Sequence, residues 1–207
     1  MIMLSVGIIK KKTEPTGNEK LIEKLDIIDS QAKRMLTIIS EYLNYIAIEE
    51  NAQIDSKSEF NLTDYLNYII NQNELAISSK SIQLVKKIDN NIIINSNKNI
   101  WGIILENLLS NAIKYSDFGK EISVELYRGQ SSILLRISDE GMGIPKEEQH
   151  LIFQKFNRLS NKPTGGETST GLGLAIVKQM VDKIGAKISF ESSPLIGTKF
   201  LIEFPIA

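Results

Sequence analysis

Residues Glu106 to Ser116 read "ENLLSNAIKYS", a run in which two asparagines and a lysine interrupt an otherwise apolar helical pattern. At about 100° of rotation per residue, Trp101, Ile104, Leu105, Leu108 and Ala112 share one face. Asn107, Asn111 and Lys114 fall within roughly 60° of one another on the neighbouring stripe. Two carboxamides and an ammonium beside a core edge can hold a metal ion and the charged part of a ligand. The same spacing also describes an ordinary amphipathic helix with solvated amides, and this stretch alone does not separate the two.

The surrounding chain narrows the choice. Its 207 residues suit one domain with an extension or two small domains, and its 42% hydrophobic and 24% charged residues are those of a globular protein. A formal charge of −1 gives no broad basic surface, so no nucleic-acid partner is expected. The chain has no cysteine, which excludes disulfides, thiolate nucleophiles and zinc–cysteine sites. No apolar run is long enough to span a bilayer. A cytoplasmic location without membrane contact by this segment is expected, the tethering of a longer parent protein being left open. "MIMLSVGII" precedes three lysines, the reverse of a secretory signal, and reads as a piece of helix.

Residues 18 to 50 carry a long helical pattern. Leu21, Leu25, Ile28, Ala32, Met35, Ile39, Tyr42 and Ile46 alternate in steps of 4 and 3, the seam of a coiled coil or bundle. Ile22, Leu36 and Leu43 widen it toward a helical bundle. Pro15 and Gly17 predict a turn before it, which makes residues 1–12 the tail of a first antiparallel helix. Such a hairpin buries little, so pairing of two copies into four helices is the expected completion, the alternative being a hairpin packed on its own domain. Polar residues 51–58 read as a linker, giving an expected division into 1–58 and 59–207.

In the second part, "FNLTDYLNYIINQNELAISSKSIQL" predicts a strand end, a helix capped near Thr63 and a return to extended chain. "EISVELYR" and "SSILLRISD" predict a hairpin turning at Gly129-Gln130. "PKEEQHLIFQKF" predicts a short helix opened by a proline and two glutamates. "TGLGLAIVKQMVDKIG" predicts a helix capped by Thr170 and stopped at Gly185. "AKISFES" and "TKFLIEFPI" supply two last strands. The expected class is α+β, an α/β layer of mixed sheet and helices.

Three further stretches carry chemistry. "SDEGMGIP" ends an apolar strand at Asp139, whose carboxylate can accept a hydrogen bond from an exocyclic amine in an otherwise flat pocket. Gly141 and Gly143 leave room there for a planar ring, although such a stretch is often only a turn. "TSTGLGLAIV" places Gly171 and Gly173 at a helix start, where free N–H groups and the helix dipole favour phosphate. It is neither a Walker loop nor a Rossmann fingerprint. The polar run "NRLSNKPTGGETS" between Phe156 and Thr170 reads as a lid.

Taken in order, "NLLSNAIKYS", "DEGMGI", "FQKF" and "TGLGLAIV" resemble the N box, first glycine box, F box and second glycine box of sensor histidine kinases. The resemblance covers roughly residues 18–207. It implies the Bergerat ATP-binding sandwich, shared with the Hsp90, gyrase and MutL ATPases, preceded by a helical dimerisation hairpin. It implies ATP and Mg²⁺ as ligands, a homodimer through the hairpin, and the receiver domain of a response regulator as partner.

On that resemblance Asn111 is the Mg²⁺ ligand, with Asn107 beside it near the phosphates. Lys114 meets phosphate oxygens and Tyr115 packs near the ribose. Asp139 accepts from the adenine amine while Gly141, Gly143 and Ile144 shape its pocket. Thr170, Gly171, Leu172 and Gly173 hold the lid and phosphates, Phe153 and Phe156 anchor the lid, and Arg158 is the arginine after the F box. Two departures stand out. Ser169 occupies a position that is often glycine in the family, and the acceptor histidine of the first hairpin helix is missing. The one histidine, His150, matches no acceptor and is expected to be a solvated helix residue. The resemblance implies that the chain begins just after its phosphorylation site and cannot label itself. Two other readings remain: a Bergerat serine kinase of the anti-sigma type, against which the heptad hairpin and "NAIKYS" speak, and a non-catalytic scaffold, against which Asn111, Asp139 and the glycines speak.

Overall fold

The computed structural model describes residues 19–50, 57–167 and 169–206, and the chain divides into two compact units, Met1–Glu50 and Asn51–Ala207. The first contains helix α1, Glu19–Glu50. Of its expected seam, Leu25 is buried, whereas Leu21, Ile28, Met35 and Ile39 stay exposed. Tyr42, Leu43 and Ile46 lie on this helix, but their side chains fall outside what is described, as do the first helix over residues 1–12, the turn at Pro15 and Gly17, and residues 51–56 of the linker.

The second unit opens with β1 (Ser58–Asn61), α2 (Leu62–Gln72), α3 (Glu74–Ser79), β2 (Gln83–Ile88), β3 (Ile93–Ser96) and α4 (Lys98–Tyr115). It continues with β4 (Glu121–Arg128), β5 (Ser132–Asp139), a 3₁₀ helix (Lys146–Leu151), α5 (Gly173–Lys183), β6 (Lys187–Ser193) and β7 (Gly197–Pro205). Five strands form one sheet in the order β2-β4-β5-β7-β6, parallel only between β2 and β4. A separate pair joins β1 and β3 antiparallel.

Strand alternation sends Ile122, Val124 and Leu126, then Ile133, Leu135 and Ile137, then Phe200 and Ile202 into one buried layer. Against that layer lies the apolar face of α4. Trp101, Ile104, Leu105, Leu108 and Ala112 are all buried as their spacing predicted, and the Trp101 ring meets Phe204 edge-on at 5.6 Å. Helix α4 starts at the Asn97 cap, whose Oδ1 accepts from Ile100 N at 3.0 Å, and α5 packs beside it. The polar stripe of Asn107, Asn111 and Lys114 is half-buried at the edge of this core.

Several elements differ from the sequence reading. The cap of α2 is Asn61, whose Oδ1 accepts from Asp64 N at 3.2 Å, and not Thr63. Thr63 is buried instead, donating to Asp89 O at 2.7 Å and accepting from Ile92 N at 3.1 Å, so it ties α2 to the entry of β3. Strand β3 was not expected, and Ser58 belongs to β1 rather than to the linker. The helix after Pro145 is a 3₁₀ helix ending at Leu151. Helix α5 has Leu172 at its cap position and no side-chain cap; Thr170 Oγ1 accepts from Leu172 N at 3.3 Å, two residues too early to cap it. The hairpin at Gly129-Gln130 and the last two strands form as expected.

These two hydroxyl and amide roles make a ranked prediction. Asn61→Ala removes an exposed cap bond and should cost about 1 kcal/mol. Thr63→Val strands the buried Ile92 N–H and releases the Asp89 carbonyl, and should cost about 2 kcal/mol. Urea denaturation of both variants checks the order, and equal losses would contradict it.

Candidate functional site

The three chemical stretches converge on α4. At its middle, Gly173 faces the asparagine stripe so closely that a Cβ there would lie 2.7 Å from Asn107 Oδ1 and 4.0 Å from Asn111 Nδ2. The Asn107 amide donates to Ile103 O at 2.7 Å, which turns its oxygen toward the first turn of α5. A side chain at Gly173 would press on the Asn107 amide, which its bond to Ile103 O holds in place, while Asn111 would stand at ordinary contact distance. The N-terminus of α5 carries no side-chain cap, and its N–H groups form a seat for anionic oxygens.

At the C-terminal end of α4, Gly141 lies against Tyr115, where a Cβ would fall 2.2 Å from the carbonyl oxygen of Tyr115. Asp139, the last residue of β5, sits beside it. Its Oδ1 accepts from Gly141 N at 2.9 Å and from Thr198 N at 3.3 Å, while no described residue donates to Oδ2. Burial pushes the carboxyl up to about 6 against the pull of those two bonds. An acceptor that is half-buried, oriented by two backbone donors on one oxygen and without a protein donor on the other is suited to a ligand amine.

The remaining positions fall around this line. Gly143 has φ +63° and packs on Ser193 O; Ile144 is buried and its N–H donates to Ser192 Oγ at 2.8 Å. Gly171 has φ +76° and lies over the backbone of Asn157, while Phe156 N donates to its carbonyl at 3.0 Å. Leu172 and Thr170 are buried. The Phe153 ring meets Phe190 edge-on at 5.9 Å, anchoring the segment after the 3₁₀ helix to the sheet, whereas Phe156 is 57% exposed with φ +62°. Arg158 is exposed, and no described hydrogen bond joins it to the asparagines, Lys114 or Asp139. The structure thus brings Asn107, Asn111 and Gly173 together, and Tyr115, Asp139 and Gly141, but does not draw Arg158 in.

Residues 98–207, just over half of the chain, match the histidine kinase-, DNA gyrase B- and HSP90-like ATPase family. The chain belongs to this ATPase family. Among its relatives, the autoinducer 2 sensor kinase/phosphatase LuxQ of Vibrio harveyi is 28% identical over 211 residues, covering 99% of this chain and 24% of that protein. The chain therefore spans about a quarter of the length of the curated relatives it matches. Among solved structures, a mycobacterial sensor histidine kinase, MprB, is 27% identical with a TM-score of 0.61, covering 72% of this chain and all of that one. Histidine kinase ThkA, solved in complex with response regulator protein TrrA, shares the fold with a TM-score of 0.72 at 23% identity, over all of this chain and 58% of that one. The α+β Bergerat architecture expected from the four boxes is the one observed.

Sequence reasoning missed three contributors: Thr198, whose N–H orients Asp139; Gly197, where a Cβ would strike Asp139 O; and Lys80. The first two lie about 60 residues beyond Asp139 and adjoin it only through the β5–β7 register. Lys80 stands in the polar run "SSKS", which carries no periodic signal.

The Asp139 environment predicts a pH-dependent stability. A carboxyl raised from 3.8 to about 6 on folding stabilises the fold fully below 3.8, and this contribution is lost as pH rises through 6. Asp139→Asn keeps an oxygen for both backbone donors and removes the buried charge. Without ligand the variant should be more stable than the parent at pH 7.5, by on the order of 2 kcal/mol. The gap should open between pH 4 and about 6.5. Chemical denaturation across pH checks this, and a variant less stable at pH 7.5 would contradict the burial account.

Proposed function

We propose that residues 59–207 are the ATP-binding catalytic domain of a sensor histidine kinase and that residues 1–58 carry its dimerisation hairpin and linker. One observation carries the reading: an asparagine stripe under an uncapped helix start and a half-buried, half-unused aspartate are set along one helix. From Asn107 to Tyr115 the rise is about 12 Å, which suits a nucleotide laid along α4. In this reading Asp139 Oδ2 accepts from the adenine exocyclic amine over the floor of Gly141, Gly143 and Ile144. The start of α5 and Lys114 receive the phosphate oxygens, with Tyr115 near the ribose.

The donor set fits Mg²⁺. Among the described residues no group of three or more His, Asp or Glu could cage a cation, so the ion would take Asn111's carboxamide oxygen and complete its shell with phosphates and water. Bound there, the ion offsets charge on the phosphate oxygens during transfer. Asn107 orients the same phosphates, and the chain's own residues exclude water through the lid between Phe156 and Thr170.

The acceptor nucleophile would come from another segment. His150 is exposed in the 3₁₀ helix beside Glu147 and Glu148, whose carboxylates repel a phosphoryl group. The exposed seam on α1 supports pairing with a second copy, and the sensor-kinase relatives support a response-regulator receiver domain as the partner that accepts the phosphoryl group. No described helix is long and apolar enough to cross a membrane, and the net charge of −1 favours no nucleic acid. A cytoplasmic setting is part of the proposal.

Two experiments follow. Titration with ATP and ADP should show Asp139→Asn weakening both by about 1–3 kcal/mol. Asn111→Ala should abolish the Mg²⁺-dependent gain in ATP affinity while sparing metal-free ADP. Parental affinities in the first variant, or parental Mg²⁺ dependence in the second, would remove the corresponding assignment. Incubated with radiolabelled ATP, the chain should bind nucleotide yet take up no acid-labile label unless a fragment bearing an acceptor histidine is added. Stoichiometric label on the chain alone would make His150 an acceptor.

A further inference from the structure

Lys80 is 4% exposed, in the turn between α3 and β2. A buried ammonium is costly unless its protons find acceptors. Here Nζ reaches Ile113 O at 2.8 Å, Lys114 O at 3.2 Å, Thr164 Oγ1 at 2.9 Å and Glu167 Oε1 at 2.6 Å. The two carbonyls belong to the last turn of α4, where helical N–H partners run out and a cation is favoured by the dipole. The hydroxyl and the carboxylate belong to the lid. Lys80 thus joins two parts of the chain that no box motif connects.

The lid is shaped for this junction. Thr164 N donates to Lys114 O at 3.0 Å, and Thr164 Oγ1 donates to Ser116 O at 2.5 Å. A Cβ on Gly165 would fall 2.8 Å from Lys80 Cε and 2.9 Å from Glu167 Oε1, so a side chain there would separate the ion pair. Gly166, at φ +75°, turns the chain so that Glu167 comes back, and its Oε2 accepts from Gly165 N at 2.8 Å. Partial burial pushes the Glu167 carboxyl up, but the bond from Lys80 and those from the Glu167 and Gly165 backbone N–H groups outweigh it and hold it below the usual range. At the other end of the lid, Asn161 donates to Gly143 O and Ser160 N donates to Glu148 Oε2 at 2.9 Å. From Asn161 to Thr164 the chain can extend only about 10 Å. The lid therefore bridges the first glycine box and the end of α4 at a fixed span.

We propose that Lys80 is a positioning residue for the nucleotide site: it latches the Thr164–Glu167 turn of the lid to the C-terminal end of α4, beside Lys114, and so sets how long the lid stays closed. Its consequence for nucleotide retention rests on the reading of the site given above, whereas the latch itself is a property of the fold without nucleotide. The Glu167 side is the more separable half, because that side chain is 28% exposed and can lose its charge without opening the core.

The test uses the full chain with Glu167→Gln and Lys80→Met, read by amide hydrogen exchange without nucleotide, by thermal unfolding, and by dissociation of a fluorescent ATP analogue. Glu167→Gln should speed exchange of residues 160–167 at least about fivefold and leave exchange in α2, β4 and β5, and the melting temperature, unchanged. Dissociation of the analogue should speed up by a similar factor. Lys80→Met should speed lid exchange and analogue dissociation likewise, also speed exchange in the last turn of α4, and lower the melting temperature because buried acceptors lose their donor. Parental lid exchange in both variants would overturn the latch, as would, in Glu167→Gln, a lower melting temperature with exchange raised everywhere, the mark of a merely structural role. Faster lid exchange in a chain that binds no analogue would uphold the latch and refute the nucleotide reading; Asp139-dependent binding with unchanged lid exchange would do the reverse.

Discussion

There is no room for a methyl group between Gly173 and Asn107, and the second unit is organised around that contact. Helix α4 must bury one face against the sheet and keep an adjacent stripe of amides at the core edge. A second helix that packed there with side chains would cover the stripe and leave its carboxamides without partners. Glycine at the start of α5 lets the two helices meet backbone to amide, so that the amides at the edge of the core are not covered by a side chain. Gly141 repeats the device one end further on, bringing the turn after β5 against the Tyr115 carbonyl. Both approaches rest on the absence of a Cβ, and they set where the asparagines and Asp139 stand relative to each other.

Asp139 shows the opposite tendency. A carboxylate held at a strand end with two backbone donors on one oxygen and none on the other is poorly matched to its surroundings, as its upward shift records. Local conflict of this kind costs stability in the free protein and marks a group whose partner is supplied from outside. Lys80 is more deeply buried and wholly satisfied, by four oxygens from two segments. The contrast supports the proposed division of labour, with Asp139 facing a ligand and Lys80 holding the Thr164–Glu167 turn.

Much of this was legible before any coordinates. Periodicity placed the core face of α4 and its polar stripe, because helical geometry ties spacing to direction with no reference to tertiary structure. The glycine boxes were legible through their order after the asparagine stretch, because glycine at a strand end taken alone is often only a turn. Strand β3 was missed because "NIIINS" is short, asparagine-flanked and paired only with the four residues of β1. The cap of α2 was displaced from Thr63 to Asn61 because Thr63 had a long-range use at Asp89 and Ile92 that sequence spacing does not display. Thr198, Gly197 and Lys80 escaped for the same reason: each acts across a sheet register or a loop contact, and no local pattern distinguishes it from a surface residue.

The central claim is that one cleft along α4 takes the adenine at Asp139 and the phosphates at the asparagines and the start of α5. The most direct measurement is a crystal structure of this chain with a non-hydrolysable ATP analogue and Mg²⁺. The account predicts the adenine amine within hydrogen-bond distance of Asp139 Oδ2, the ion on the Asn111 carboxamide oxygen, and phosphate oxygens facing the N–H groups after Gly171. An analogue bound with its base away from Asp139, or with its phosphates clear of Asn107, Asn111 and Gly173, would contradict it.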